Sequence, residues 1–201
     1  MTEEALSKGE RTRRAIAKAA LELFLQHGYH ATSMRQIAER AGIALSGIYN
    51  HFSSKDEIFQ ELIIVEHPYQ KILPLIRNVP GDSTEEFVQN SARAVQEEMG
   101  RNPDFIKLMF IEIVEFHGKH FPKLYETIFP QILPLLQRFA APGSGVREIP
   151  LPRLIRAFMG SIIAFYATEF LMSQPTLPSE LRAMRLEDFM DIFLFGILKR
   201  E

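Results

Sequence analysis

The most constraining stretch of the chain is Thr32–Lys55, TSMRQIAERAGIALSGIYNHFSSK, where small, apolar and capping residues alternate on a short rhythm. Ser33 followed three residues later by Gln36 is a capping box, which satisfies two orphan N–H groups at a helix start. Ile37, Ala38 and Ala41 then repeat at helical spacing and predict an inward face. Gly42 suits the left-handed position just past a helix end, where a Cβ is costly, and Ile43 is placed to plug the corner. Leu45 to Phe52 predicts a second helix of about two turns, with Ile48 and Phe52 on its inner side. Ser46, Gly47, Tyr49, Asn50 and His51 are left facing out. A short helix with a small, polar outer face, set behind a tight turn, has the form of a recognition helix for the major groove.

The rest of the composition limits what surrounds this element. The chain has 201 residues, 46% of them apolar, and 16 Phe, enough to bury a sizeable aromatic core. It has no cysteine, so no disulfide framework and no thiolate chemistry is available. The first residues, MTEEALSKGERTRR, lack the apolar centre of a signal peptide. The longest apolar run, Ile155–Met172, is interrupted by Arg156 and Glu169, so the expectation is a cytoplasmic protein with no membrane partner. The net charge of −2 conceals an asymmetry. Residues 1–55 carry 8 Lys/Arg against 5 acids, while the remainder carries 15 against 20. A basic end on an acidic body suits contact with phosphate at one end only.

Before the opening stretch, Ser7 or Glu10 to His27 predicts a helix whose Ile16, Ala19, Ala20, Leu23 and Phe24 form a core-facing stripe, ended by Gly28. Arg11, Arg13, Arg14 and Lys18 crowd its start. A solvated face and a phosphate contact are both open readings there. After it, Ser54 and Glu57 predict a second capping box and a long helix, kinked at Pro68 and ending near Asn78. Pro80-Gly81-Asp82-Ser83 is a loop. Helices are expected over 84–100, 104–117, 122–139, 151–173 and 186–200, with Pro130 and Pro134 bending the third of these. No segment alternates with the period of a strand, so the fold class expected is all-α.

Gly42-Ile43, Gly47-x-Tyr49-x-His51-Phe52 and Lys55 with its following acids resemble the TetR family of bacterial transcriptional regulators over about Arg11 to Leu62. The resemblance implies an N-terminal three-helix domain with a helix-turn-helix for DNA binding, residues 1–55. It implies a C-terminal helical domain for ligand binding and dimerisation, residues 56–201. It also implies that Thr32, Ser33, Arg35, Leu45, Ser46, Gly47, Tyr49, Asn50, His51 and Lys55 meet double-stranded DNA. Hydroxyls and the guanidinium suit phosphate, and Leu45 offers only apolar contact, as to a thymine methyl. The family commonly has Ser or Thr where this chain has Ala44. Either Ser46 caps a later start, or the recognition helix is marginal until DNA is bound.

In the C-terminal half, Phe105, Met109, Glu112, Phe116, Tyr125, Phe129, Phe165 and Glu169 are candidates to line a small-molecule effector site. A plain packed core is the competing reading for each. Glu112, Glu115 and Glu169 stand in apolar surroundings, where each faces a ligand or pairs with a base such as Lys119, Arg153 or Arg156. His117 and His120 lack a specific metal spacing, so neither a metal nor a cofactor is expected. Phe158, Ile162, Phe189 and Phe193 carry more apolar surface than one core needs, and the resemblance puts their helices at a homodimer interface. No phosphate-binding glycine loop, nucleophile elbow or metal motif supports an enzyme. The function expected is a ligand-responsive repressor bound to a palindromic operator. A constitutive or architectural DNA-binding dimer is the alternative.

Overall fold

The computed structural model describes residues 7–101, 103–140, 143–172, 174–182 and 184–197, and every regular element longer than a single bridge is an α-helix among the described residues. They run α1 (Lys8–His27), α2 (Met34–Arg40), α3 (Leu45–Ile48), α4 (Lys55–Val65), α5 (Tyr69–Arg77), α6 (Thr84–Gly100), α7 (Pro103–Glu115), α8 (Phe121–Ala140), α9 (Leu151–Met172), α10 (Ser179–Arg182) and α11 (Leu186–Ile197). The chain forms two compact units, one of Met1–His67 with Pro103–Glu126, the other of Pro68–Asn102 with Thr127–Glu201.

In the first unit, α1 starts on a capping box in which Ser7 Oγ accepts from Glu10 N at 3.2 Å and Glu10 Oε2 accepts from Ser7 N at 2.8 Å. Its stripe of Ile16, Ala19, Ala20, Leu23 and Phe24 is buried as the periodicity predicts. Gly28 ends it at φ 83°, a conformation L side chains avoid. α1 packs against α2, α4 and α7. Their shared core is aromatic: Phe59 stacks on Phe116 at 4.4 Å between centroids, and Tyr29 meets Phe116 edge-on at 4.5 Å. Phe24 closes the cluster at 5.2 Å from Tyr29 and 5.8 Å from Phe59. Burying such rings is worth roughly 1.5–3 kcal/mol each, so this cluster holds α7 to the N-terminal helices.

Two local expectations change. The long kinked helix after Ser54 is two helices, because Pro68 has no N–H to give and disfavours helical backbone at His67. The sequence-predicted capping box at Ser54 is split. Ser54 Oγ accepts from Glu57 N at 3.1 Å, while Glu57 Oε2 accepts from Ser53 N at 2.8 Å.

In the second unit, α11 packs on α6 and α9, and α5 on α6. Pro130 and Pro134 both lie inside α8, which runs on as one helix. α9, at 22 residues, is long and apolar enough to cross a bilayer, which modifies the expectation that Arg156 and Glu169 interrupt the run. Both charged residues are exposed on it, and only 11% of its most apolar window is buried within the chain.

Candidate nucleic-acid interface

The helix-turn-helix is built as its residues dictate. Ser33 Oγ accepts from Gln36 N at 3.3 Å and Gln36 Oε1 accepts from Ser33 N at 2.8 Å, so the capping box at α2 is complete. Gly42 takes φ 70°, and Ile43 N donates to Ala38 O at 3.0 Å to close the helix end. Ala44 is the N-cap of α3 and supplies no side-chain hydrogen bond; Ser46 does not take over as a later cap.

The recognition helix is shorter than the two turns expected. α3 covers only Leu45–Ile48, and the chain then tightens, with His51 N donating to Ile48 O at 3.0 Å and Asn50 N to Gly47 O at 3.3 Å. Such i→i+3 closures satisfy a helix end without extending it. Ile48 and Phe52 are anchored in the core at 0% and 1% exposure. Leu45, Ser46, Tyr49 and Asn50 are exposed, with Leu45 at 41% and Tyr49 at 53%, and Gly47 and His51 are half-exposed. Arg35 on α2 is exposed and pairs with no carboxylate among the described residues. These residues give a mixed face: a cation, hydroxyls, an amide, and one aliphatic side chain.

Three sequence-derived candidates are used differently. Thr32 is buried at 2%, and its hydroxyl donates to Gly28 O at 2.9 Å, so its side chain fastens the connector between α1 and α2 instead of facing outward. Lys55 also turns inward. Its Nζ donates to Tyr29 O at 2.6 Å and Thr32 O at 2.5 Å, and lies 4.1 Å from the Tyr29 ring centre. Burial pulls this ammonium below the usual lysine range, with the Glu115 carboxylate acting the other way. Arg13, one of the four cations at the start of α1, donates to the Glu61 carboxylate and to the His51 carbonyl. Its guanidinium also lies 4.0 Å from the Phe52 ring centre. Acids four apart on α4, Glu57 and Glu61, are the signal in the sequence that α4 presents a carboxylate face to a base.

The effector candidates divide between the two units. Phe105, Met109, Glu112, Phe116 and Tyr125 belong to the first; Phe129, Phe165 and Glu169 to the second. Within the first unit, Phe116 is part of the aromatic core under α1 and α4, and Phe105 lies 4.6 Å from the His67 ring. Burial pulls the His67 imidazole down to about 4. Glu112, exposed only 1%, accepts the backbone N–H of His120 at 2.7 Å and faces His120 Nδ1 at 2.7 Å. Left-handed backbone at His117 (φ 55°) and Gly118 (φ 80°) turns the chain so that His120 returns onto α7. Glu112 thus has an internal partner, His120, which is none of the bases expected. Glu115 lies 3.5 Å from His30 Nε2. In the second unit, Phe165 is buried against Phe189 at 5.5 Å, Phe129 is half-buried, and Tyr125 in the first unit and Glu169 are exposed. The Tyr166 hydroxyl is buried without a hydrogen-bond partner, and burial, then Glu169, push it above the usual phenol range.

Of the dimer candidates, Phe158 meets Phe193 at 5.8 Å and Phe165 meets Phe189, so Phe158, Phe189 and Phe193 form a seam between α9 and α11 inside the chain. Ile162 is half-buried. The outward apolar residues stand beside them: Ile163 (48%), Phe170 (55%) and Leu171 (60%) on α9, Ile192 (71%) and Phe195 (78%) on α11.

Residues 16–62 match the family described as bacterial regulatory proteins, tetR family. The HTH-type transcriptional activator FasR of Mycolicibacterium smegmatis is 51% identical over 41 residues, 20% of this chain and 19% of its own length. The first curated relatives are matched over only 19–33% of their own length. An uncharacterised HTH-type transcriptional regulator of Bacillus subtilis, YdgC, is 25% identical over 96% of both chains. Among solved structures, NalD of Pseudomonas aeruginosa, described as the secondary repressor of the MexAB-OprM multidrug efflux pump, superposes with a TM-score of 0.69. It is 22% identical and the match covers 96% of this chain and all of that one.

Proposed function

Because the chain belongs to the TetR family of transcriptional regulators, we propose that it binds a palindromic operator as a homodimer and represses transcription until a small, largely apolar effector releases it. The observation that carries this reading is the exposed face of Arg35, Leu45, Ser46, Tyr49 and Asn50, fixed from behind by the buried Ile48 and Phe52. Ser33, Gly47 and His51 complete that face. Thr32 and Lys55 serve it by holding the connector in front of α2. In this reading residues 1–55 read DNA in the cytoplasm, and residues 56–201 pair the protomers and take the effector.

Pairing is supported by the outward Ile163, Phe170, Leu171, Ile192 and Phe195, large apolar side chains each about half or more exposed on α9 and α11. A second copy that covers them brings two recognition helices to successive major grooves, roughly 34–36 Å apart. Effector binding is assigned to Phe165 and Glu169, which adjoin Tyr166 and its buried hydroxyl without a hydrogen-bond partner, together with Phe129 on α8. Release requires that the effector bind two conformations with different affinity. Repression is the direction proposed; NalD is described as a repressor and FasR as an activator.

The test is selection of duplexes from random DNA, followed by affinity measurements over a range of salt. The expected result is enrichment of a two-fold symmetric sequence, with log affinity falling linearly against log salt. Failure to enrich any sequence, or salt-independent binding, contradicts the proposal.

A further inference from the structure

The recognition helix is unusually dependent on outside support. It is a single turn, its N-cap is Ala44, and it has no side-chain hydrogen bond at its start. A helix this short does not hold itself, since nucleation costs more than one turn returns. Its inner residues, Ile48 and Phe52, fix its depth. What fixes its far end is a side chain from another helix.

We propose that Arg13, held by Glu61, is a positioning residue that sets the orientation of the recognition helix and thereby separates operator DNA from random DNA. Arg13 reaches from α1 to two other elements at once. Its Nε donates to Glu61 Oε2 at 2.7 Å, and Nη2 donates to the same oxygen. Nη1 donates to the His51 carbonyl, an orphan acceptor where the recognition segment ends. The plane of the guanidinium lies against Phe52 at 4.0 Å, and Glu57 Oε1 stands 3.7 Å from Nη2. Each of the three guanidinium nitrogens therefore donates to a partner within the protein. The planar fork holds the carboxylate, the carbonyl and the ring in one fixed geometry, which the compact, freely rotating ammonium of lysine does not reproduce over these separations. Arg13 is thus not one more phosphate contact among the cations of α1. It acts through His51 and Phe52 on where Leu45 to Asn50 point.

The inference rests on the DNA-binding reading, and the experiment keeps the two apart. The selected palindrome and a random duplex are titrated with wild type, R13Q, R13K, E61Q and E61A, well below each variant's melting midpoint. Specific complexes exceed non-specific ones by about 10³–10⁷-fold. Loss of helix orientation is expected to lower palindrome affinity by about 10–100-fold in all four variants, on the scale of one or two misread base pairs. Random-duplex affinity and the salt slope stay as in wild type. The overturning result is equal loss on both duplexes in R13Q, with a slope lower by about 0.9 per protomer and rescue by R13K, the pattern of a phosphate contact. E61Q keeps an acceptor for Arg13 and should fall at the low end of the expected range; E61A, which removes it, is decisive because a carboxylate cannot hold phosphate, and wild-type discrimination in E61A also overturns the proposal.

Amide hydrogen exchange without DNA supplies the independent arm. The amides of Gly47–Phe52 should exchange at least about tenfold faster in R13Q and E61A, as for a segment whose local opening free energy has dropped. Unchanged exchange there contradicts the clamp. If wild type selects no DNA sequence, the operator reading fails while this arm still decides whether Arg13 holds the helix.

Discussion

Replacing Glu112 by alanine tests whether this carboxylate is structural or waits for a ligand. In the structure its two oxygens serve one residue: Oε1 accepts the His120 backbone N–H and Oε2 faces His120 Nδ1, both at 2.7 Å and both buried. His120 Nε2 lies 3.3 Å from Asp56 Oδ1, an ion-pair distance without hydrogen-bond alignment, and Lys119 Nζ bonds that same oxygen at 2.5 Å. Removing Glu112 strands a backbone donor and a ring nitrogen in a site with no access to water. Leaving a buried backbone N–H and a buried ring nitrogen without partners costs about 1–3 kcal/mol each, about 2–6 kcal/mol together. At roughly 2–4 °C per kcal/mol for a chain of this size, the melting midpoint should fall by about 4–24 °C. Glu112→Gln keeps an acceptor but not the charge, and should fall between. Thermal unfolding followed by circular dichroism at pH 7, without ligand, is the assay. A midpoint within about 2 °C of wild type for Glu112→Ala would refute the reasoning, since a residue held ready for a ligand contributes little to the free protein.

Three further outcomes follow from the same geometry. Ala44→Ser should stabilise the free protein by about 1 kcal/mol, because the backbone at residue 44 is already in the extended N-cap conformation; an unchanged midpoint sinks the idea of an under-capped recognition helix. Lys55→Met should lower the melting midpoint but leave the salt slope of DNA binding alone, since the ammonium faces Tyr29 and Thr32; a slope lower by about 0.9 per protomer would return it to a phosphate. Burial raises the Asp56 pKa, but the Lys119 ammonium bonded to it and the His120 imidazole 3.3 Å away outweigh burial and leave the group below its usual value. A depressed carboxylate stabilises the fold above its ordinary pKa and loses that contribution as pH falls through the folded value. Acidification from about pH 5 to 3 should therefore destabilise wild type more than Asp56→Asn.

What could be read from the residues was the local part. The α1 stripe, the Ser33–Gln36 box and the glycine ends at 28 and 42 depend on neighbours three or four positions away, and each stands where periodicity puts it. The length of α3 was less legible, because nothing in Leu45–Phe52 marks where the regular helix gives way to the turn in which His51 N and Phe52 N both donate to Ile48 O. The uses of charge were hidden by distance. Arg13 meets Glu61 across 48 positions and Lys55 meets Tyr29 across 26, so composition shows the cations but not which way they turn. Glu112 finds His120 only because two left-handed residues fold the chain back. The same limit explains the dimer candidates. Periodicity marks α9 and α11 as apolar around most of their girth, but only packing tells the inner seam of Phe158 and Phe193 from the outer Ile192 and Phe195.

In the proposed complex two copies of the Leu45–Asn50 face meet one DNA site. Sedimentation equilibrium of the protein with the selected duplex tests it most directly. The expected result is two protomers on one duplex, with half-sites centred about one helical turn or a whole multiple of it apart. A single protomer saturating the duplex, or half-sites on opposite faces of the helix, would contradict it.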